Sequence, residues 1–399
     1  MNSADRLLVL LTCRELAVRA GSQLYTRDVA EVLRALGHSP VVYAPRLGPV
    51  ADELRRRGVP VIDRLERLGE EPSIIHGQHH VEAMAAMLRF PRTPAIFVCH
   101  GWLPWQEAPP HFPSIMRYVA VDRLRRDRLV LEHGIAPEQV EVLHNFVDLD
   151  RFRPRGPLPE RPRRALLLSN QATEDSLLLG VVRAACVRHG IELAAVGAGL
   201  GRAAAMPETL LPHYDLVFGR GRAALEAMAV GLAVVLCDAE GVGPLVSAGN
   251  FDRLRDLNFG LLALPGALDA DTLAAEVALY DPSEAARVSA RVRGEHDRRD
   301  AVLRLLDLYR RAIAEAPSPA ERSSTAYAER CLRAAADYVA WATGEIDSHL
   351  DRARERVALA EQAEADLARL ERSPFLRLRK RLLGWTPLVA TYRRFKPSR

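Results

Sequence analysis

The 399-residue chain has almost no lysine: of its 55 basic residues only Lys380 and Lys396 are lysines, so the first 379 residues have none. That absence excludes two chemistries from nearly the whole chain. A Walker-type phosphate loop requires its Lys, and Schiff-base catalysis requires a Lys amine. Anions must therefore be met by Arg, His or backbone amides. Arginine in place of lysine, in an alanine-rich chain, also points to GC-rich coding and a bacterial source. The five cysteines, Cys13, Cys99, Cys186, Cys237 and Cys331, are odd in number, widely spaced and without a C-x-x-C. They read as reduced, small apolar residues, not as a disulfide framework. No apolar run approaches the ~18 residues of a membrane-spanning helix, and Leu7–Leu11 is too short for a secretory signal. The expected location is the cytoplasm.

Acidic residues are missing from one region. Residues 373–399 contain eight Lys or Arg and no Asp or Glu, so the formal net charge of +4 conceals a body of −4 and a tail of +8. A nucleic-acid partner would call for a broad basic face on the body, and none is expected. The tail interleaves Phe375, Leu376, Leu378, Leu382, Leu383 and Trp385 with its cations. That pattern suits an interfacial segment on an anionic leaflet, with RNA binding or a solvated tail as alternatives.

What is present is an alternation. Leu7–Leu11, Pro40–Ala44, Val59–Ile62, Ser73–His76, Ala95–Cys99 and Tyr118–Val121 are short apolar runs of the kind that lie buried in parallel sheets. Helical patterns separate them, such as Val29, Val32, Leu33 and Leu36 on one face. A Pro-rich stretch, Arg153–Arg164, reads as a linker. A second block follows, with strand candidates Ala165–Leu168, Leu193–Val196, Asp215–Phe218 and Ala233–Leu236. The fold class is therefore α/β: two Rossmann-like, doubly wound parallel-sheet domains at residues 1–155 and 162–316. By the rule for open sheets, ligands bind at the carboxyl ends of the strands. Residues 317–372 form a helical extension: Leu332, Ala336, Val339, Ile346, Leu350, Ala353, Val357, Ala360 and Leu367 keep near-heptad spacing, as in a coiled coil and homodimer or in a helix packed back onto the body. Residues 373–399 are the basic tail.

The segment Asp215–Val246 carries the most chemistry. A strand ends at Phe218, a Gly-rich turn bears Arg220 and Arg222, and a helix is expected from about Ala223. The helix start offers free amides and a positive dipole end to an anion, and the two arginines add charge-assisted contacts to phosphate. Glu226, on the first turn, could accept from ribose or sugar hydroxyls. Alternatively the arginines form surface ion pairs and Glu226 complements the dipole.

Glu226–Val235, EAMAVGLAVV, resembles the EAMAxGxPVV pattern of retaining, nucleotide-sugar-dependent glycosyltransferases of family 4, which have the GT-B fold. His38 after Gly37, Val98-Cys99-His100-Gly101, and Val142–Asp148 with Phe152 and Pro154 resemble other signatures of that family, in order, over residues 6–315. The resemblance implies His100 near the donor sugar, Glu226 on the donor, and Gly21 at the reduced N-terminal glycine loop near the phosphate. Two departures stand out. Phe218 occupies the place of the family's first glutamate, and Ser169-Asn170-Gln171-Ala172 occupies the loop where the family has Arg and Lys. Arg220 or Arg222 is therefore expected to neutralise the diphosphate. In the implied mechanism the acceptor attacks the face from which the diphosphate leaves, and the protein positions groups and stabilises charge. Neither a metal nor another cofactor is expected.

His76, His79 and His80 form H-x-x-H-H, a weak metal pattern without Cys or carboxylate at ligand spacing; a role for His79 near the acceptor is preferred. Trp102 and Trp105 either stack on an acceptor sugar or pack their own loop. Val196–Gly201, VGAGLG, imitates a dinucleotide fingerprint without its acidic partner, which leaves Gly197 and Gly199 as nucleotide-pocket candidates. The expected function is transfer of a sugar from a nucleotide-diphosphate donor to a surface glycan or lipid-linked acceptor, at the inner membrane face. A nucleotide-sugar 2-epimerase and a non-catalytic scaffold are the alternatives.

Overall fold

A computed structural model describes residues 6–101, 107–202 and 206–371. The first half alternates β1 (Leu8–Thr12), α1 (Gly21–Ala35), β2 (Ser39–Tyr43), α2 (Pro49–Arg56), β3 (Val61–Ile62), β4 (Ile74–Gly77), α3 (His80–Arg89), β5 (Ala95–Cys99), β6 (Ile115–Ala120), α4 (Arg123–Leu131) and β7 (Val140–Val142). These strands form one sheet in the order β3-β2-β1-β4-β5-β6-β7, with every pairing parallel. The central strands are apolar at consecutive positions because helices cover both faces of the sheet, so neither face can carry polar side chains; Val9, Leu10 and Leu11 are fully buried.

The second half continues with β8 (Arg164–Leu168), α5 (Leu177–Arg188), β9 (Glu192–Val196), α6 (Pro207–Leu210), β10 (Leu216–Gly219), α7 (Gly221–Val230), β11 (Ala233–Asp238), β12 (Gly241–Leu245), α8 (Phe251–Asp256), α9 (Ala270–Ala278), α10 (Pro282–Glu295), α11 (Arg298–Glu315), α12 (Pro319–Arg322) and α13 (Thr325–Glu371). Its sheet runs β12-β11-β10-β8-β9. β12 is antiparallel to β11, a strand that the apolar-run reading does not find because Gly241 and Gly243 interrupt it. Both sheets reverse their winding direction once, between β1 and β4 in the first and between β8 and β10 in the second. These are the switch points at which open α/β sheets bind ligands.

Two boundaries differ from the sequence reading. The chain crosses between the halves at Phe146–Val147, because Phe146 packs in the first core whereas Val147 and Phe152 pack in the second. The Pro-rich stretch is therefore not the crossing but a strap on the second half, where Arg155 N–H donates to the Val230 carbonyl (2.9 Å) and Tyr280 hydroxyl to the Pro159 carbonyl (2.9 Å). The return crossing comes before residue 316: Val292 belongs to the second core, whereas Ala301, Val302, Leu305, Leu306 and Tyr309 of α11 belong to the first. The two crossings lie side by side, joined by Val147 N–H to the His296 carbonyl (2.8 Å) and Arg298 N–H to the Val147 carbonyl (3.0 Å).

Residues up to Ala335 form one compact unit and those from Ala336 a second. The extension is the single 47-residue helix α13. Tyr327 near its start is buried and donates to the Pro91 carbonyl (3.0 Å). Its heptad positions Leu332, Val339, Ile346, Leu350 and Val357 are each at least 49% exposed. Among the described residues no helix is long and apolar enough to cross a membrane. The basic tail lies outside the described residues.

Candidate active site

Helices α1 and α7 follow β1 and β10 at the two switch points. Of the described helices with eight or more residues, they are the two that begin with neither a capping side chain nor an acidic residue in the first turn. Elsewhere such ends are satisfied by Asp122, Ser176, Asp269, Asp281 and Asp297. An uncapped start leaves amides and the positive dipole end to a ligand. At α1 a Cβ on Gly21 would meet nothing within 4 Å, so the turn has open space beside it. At α7 the chain turns through Gly221 (φ +58°), a conformation that glycine adopts without the Cβ penalty.

This turn places Glu226 further into its helix than the sequence reading did. The helix starts at Gly221 rather than Ala223, so Glu226 stands on the second turn, four residues after Arg222. Arg222 Nε donates to Glu226 Oε1 (2.7 Å), and Arg222 Nη2 pairs with Asp28 on α1. Arg222 thus ties the two halves together beneath the cleft. Asp28 is fully buried and also receives Arg27 Nη2 (2.7 Å). Burial alone would raise the Asp28 carboxyl, but Arg222 and Arg27 outweigh it and hold it at about 2. Glu226 goes the other way: burial raises its carboxyl, and Arg222 offsets this only in part. Glu226 Oε2 has no partner among the described residues, so one oxygen of the carboxylate remains available to a hydroxyl donor.

Arg220 is engaged as well. Its Nε pairs with Asp238 at the end of β11, and Asp238 also accepts from Ser169 Oγ (2.9 Å) just after β8. Both arginines expected at the diphosphate are therefore held by carboxylates, with Arg222 much the more enclosed of the two. Phe218 is fully buried within β10, so no side chain from that position reaches the cleft. Gly197 and Gly199 are required by packing: a Cβ at Gly197 would collide with the Ser169 carbonyl oxygen, and one at Gly199 with that of Ala172. They press the loop after β9 against the loop after β8, which shapes the mouth of the second sheet.

The first half supplies a buried polar chain. Thr12 Oγ1 donates to the Gln78 carbonyl (2.8 Å), the Gln78 amide donates to Thr26 Oγ1, and His100 Nε2 meets Gln78 Oε1 (2.8 Å). An amide oxygen can only accept, so neutral His100 carries its proton on Nε2. Burial, then the neighbouring His79, hold His100 well below the usual imidazole range. Tyr25 packs edge-on against its ring, with centroids 4.5 Å apart. His79 is the helix-capping residue of α3 and has φ +59°, a strained conformation for a side-chain-bearing residue. Its Nδ1 accepts from Arg14 N–H (3.2 Å), which puts the proton on Nε2, 3.9 Å from Glu107 Oε1. The second oxygen of Glu107 accepts from His100 N–H (2.9 Å). Glu107 is buried and its carboxyl is raised, first by desolvation.

The three histidines of H-x-x-H-H do not converge. His76 Nδ1 meets the Tyr309 hydroxyl (2.6 Å) in the core, and His80 Nδ1 meets the Ala108 carbonyl (2.6 Å). His38 Nδ1 accepts from Leu7 N–H (3.2 Å) and holds the start of β1. Trp102 and Trp105 lie outside the described residues. Sequence reasoning missed Asp28, Glu107 and Asp238. Asp28 had a usable signal, since it lies one residue before Val29 and four before Val32, on the buried face of α1.

Two Rossmann-like halves around a cleft, with a crossing helix that returns to the first half, define the GT-B fold. Residues 19–151 match the model of Glycosyltransferase Family 4. Comparison with curated proteins yields no match. A glycosyltransferase of Rickettsia africae is similar in structure at 15% identity, with a TM-score of 0.54 over 78% of this chain and 99% of that one. Anabaena Alr3699/HepE, solved with UDP and glucose, gives 15% identity and a TM-score of 0.55 over 76% and 99%. A Listeria monocytogenes protein described as a UDP-N-acetylglucosamine 2-epimerase gives 17% and 0.52 over 79% and 98%.

Proposed function

We propose that the protein is a nucleotide-diphosphate-sugar glycosyltransferase that acts on a glycan or lipid-linked acceptor. The observation that carries this reading is the pair of uncapped helix starts, α1 and α7, one at each switch point, with the Glu226 carboxylate behind the second. Amides of the α7 start beyond Gly221, whose own N–H donates to the Phe259 carbonyl (2.6 Å), meet the diphosphate, Glu226 Oε2 accepts from a hydroxyl of the donor, and His100 and His79 stand on the opposite side, toward the transferred sugar and acceptor. The bond from the anomeric carbon to the diphosphate oxygen breaks as the acceptor oxygen bonds to that carbon, and the acceptor proton passes to the departing phosphate. The product retains its anomeric configuration. The protein's part is positioning and fixed positive potential.

The solved Anabaena complex with UDP and glucose supports a uridine donor for this fold. The fold shared with the Listeria protein keeps 2-epimerisation as the second reading. Calorimetry with UDP, followed by product analysis of UDP-sugars with and without acceptor, tests the proposal. Binding and acceptor-dependent UDP release support it. UDP-sugar isomerised without acceptor selects the epimerase, and failure to bind UDP or any other nucleoside diphosphate refutes both.

A further inference from the structure

Where the chain crosses between the halves lies a cavity of about 220 Å³ that the proposed reaction does not use. Its walls come from the outward crossing (Leu143–Phe146), from the return crossing and the start of α11 (Gly294–Arg304), and from Arg255 on α8. It is smaller than the ~300–1,000 Å³ of sites for drug-sized ligands, which restricts an occupant to a few heavy atoms.

Two buried polar atoms of its lining have no partner: Arg255 Nε and His296 Nε2. A buried polar group without a partner costs free energy, and these two share one cavity that a ligand could fill. Their chemistry is complementary. The Arg255 terminal nitrogens are taken by Glu295 and Asp252, which leaves Nε–H as a donor. His296 Nδ1 lies 2.7 Å from the Asn145 carbonyl oxygen. A carbonyl only accepts, so Nδ1 carries the proton and neutral His296 presents a bare lone pair at Nε2. Arg304, also in the lining, makes no hydrogen bond or ion pair among the described residues. Of the acidic lining groups, Glu295 is shared by Arg255 and Arg291, and Asp300 is exposed. His144 faces the same space, with Asp256 3.9 Å from it.

We propose that this hinge cavity binds a phosphate group that still carries a proton. Arg255 Nε–H and the Arg304 guanidinium donate to two of its unprotonated oxygens, and its P–O–H donates to His296 Nε2. An oxyanion without a proton, such as sulfate, leaves His296 unsatisfied and is disfavoured unless the imidazole itself is protonated. The positive surroundings fit this: burial comes first, and the Arg255 and Arg304 charges add to it, holding His144 down at about 4 despite Asp256. The occupant is free phosphate or the phosphate of a small metabolite, and the shared chemistry that the site reads is a phosphate with one oxygen protonated and two free to accept.

None of the lining residues is among those assigned to the donor or acceptor, so the assignment does not rest on the proposed function, and its test reads binding rather than transfer. Inorganic phosphate and sulfate are titrated calorimetrically into the full chain at pH 7, with and without excess UDP, which occupies the cleft if the proposed function holds. Phosphate is expected to bind in the presence of UDP, at least about tenfold more tightly than sulfate, the value of one charge-assisted hydrogen bond. Arg304→Gln, at an exposed and unpaired position, keeps the wild-type melting temperature and weakens phosphate about tenfold. No phosphate binding, equal phosphate and sulfate affinity, or full affinity in Arg304→Gln overturns the assignment. Failure of UDP to bind bears only on the proposed function.

Discussion

Replacing Arg222 by Met tests whether the two halves are held by a buried ion triad. The arginine closes one contact of 2.7 Å to Glu226 and another to Asp28, with the three side chains at most 14% exposed. At an effective dielectric of ~20, each contact is worth roughly 6 kcal/mol before desolvation. Burial of the charges consumes most of that. The cost of the substitution is therefore set by what it leaves behind, namely Glu226 with no ion-pair partner and only the Arg151 charge acting on it, and Asp28 held by Arg27 and, at 3.9 Å, Arg298. Removing one partner of such a pair costs about 3–5 kcal/mol. Urea denaturation, read by far-ultraviolet circular dichroism, should show a loss of that size. The loss should shrink in Arg222→Met/Glu226→Gln, because the stranded charge is then gone. It should also shrink as pH falls from 8 to 5. Without Arg222, burial raises the Glu226 carboxyl still further, and a group with a raised folded-state pKa contributes stability at low pH that is lost as pH rises through that value. A cost under about 1 kcal/mol, or one independent of pH and of Glu226, would refute the triad as a structural tie.

Further outcomes can be checked directly. Glu226→Ala should weaken UDP-sugar binding by about tenfold or more, the value of a charge-assisted hydrogen bond, with little change for free phosphate measured by the same calorimetry. Gly197→Ala should destabilise the second half by several kcal/mol, because its Cβ would collide with a backbone oxygen of Ser169; an unchanged melting temperature would contradict the close approach of the two loops. The buried histidines make the fold acid-labile. Burial holds His76 at about 3 and His79, His80 and His144 at about 4, so the unfolded chain takes up protons below its own pKa of ~6.5 that the native state refuses. Stability is then present above pH ~6.5 and falls below it, by up to about 1.4 kcal/mol per pH unit for each histidine. A urea midpoint that does not move between pH 7 and 5 would exclude this. Truncation after Ala335 should leave the melting temperature of the remaining unit nearly unchanged, since the two units are separately compact.

The sequence by itself determined the architecture. Runs such as Leu7–Leu11 and Ala233–Leu236 are apolar at consecutive positions, which only a strand covered on both faces tolerates, and their alternation with 3.6-residue periodicity leaves little but a pair of parallel α/β sheets. It also determined that phosphate recognition must work without lysine, and it singled out Glu226 and the turn before it. The tertiary structure decided what each charged residue is for. Arg222 and Asp28 are 194 positions apart, and nothing local reports that they meet. The crossing point was hidden for the same reason: four prolines suggest a linker, but Phe146 and Val147 are assigned to different cores only by what packs around them. Likewise α11 has the amphipathic pattern of any second-half helix, and its return to the first sheet is a matter of which apolar surface remained uncovered. Periodicity is written in neighbouring residues, whereas the pairing of charges and the choice of a packing partner depend on the distances that folding creates.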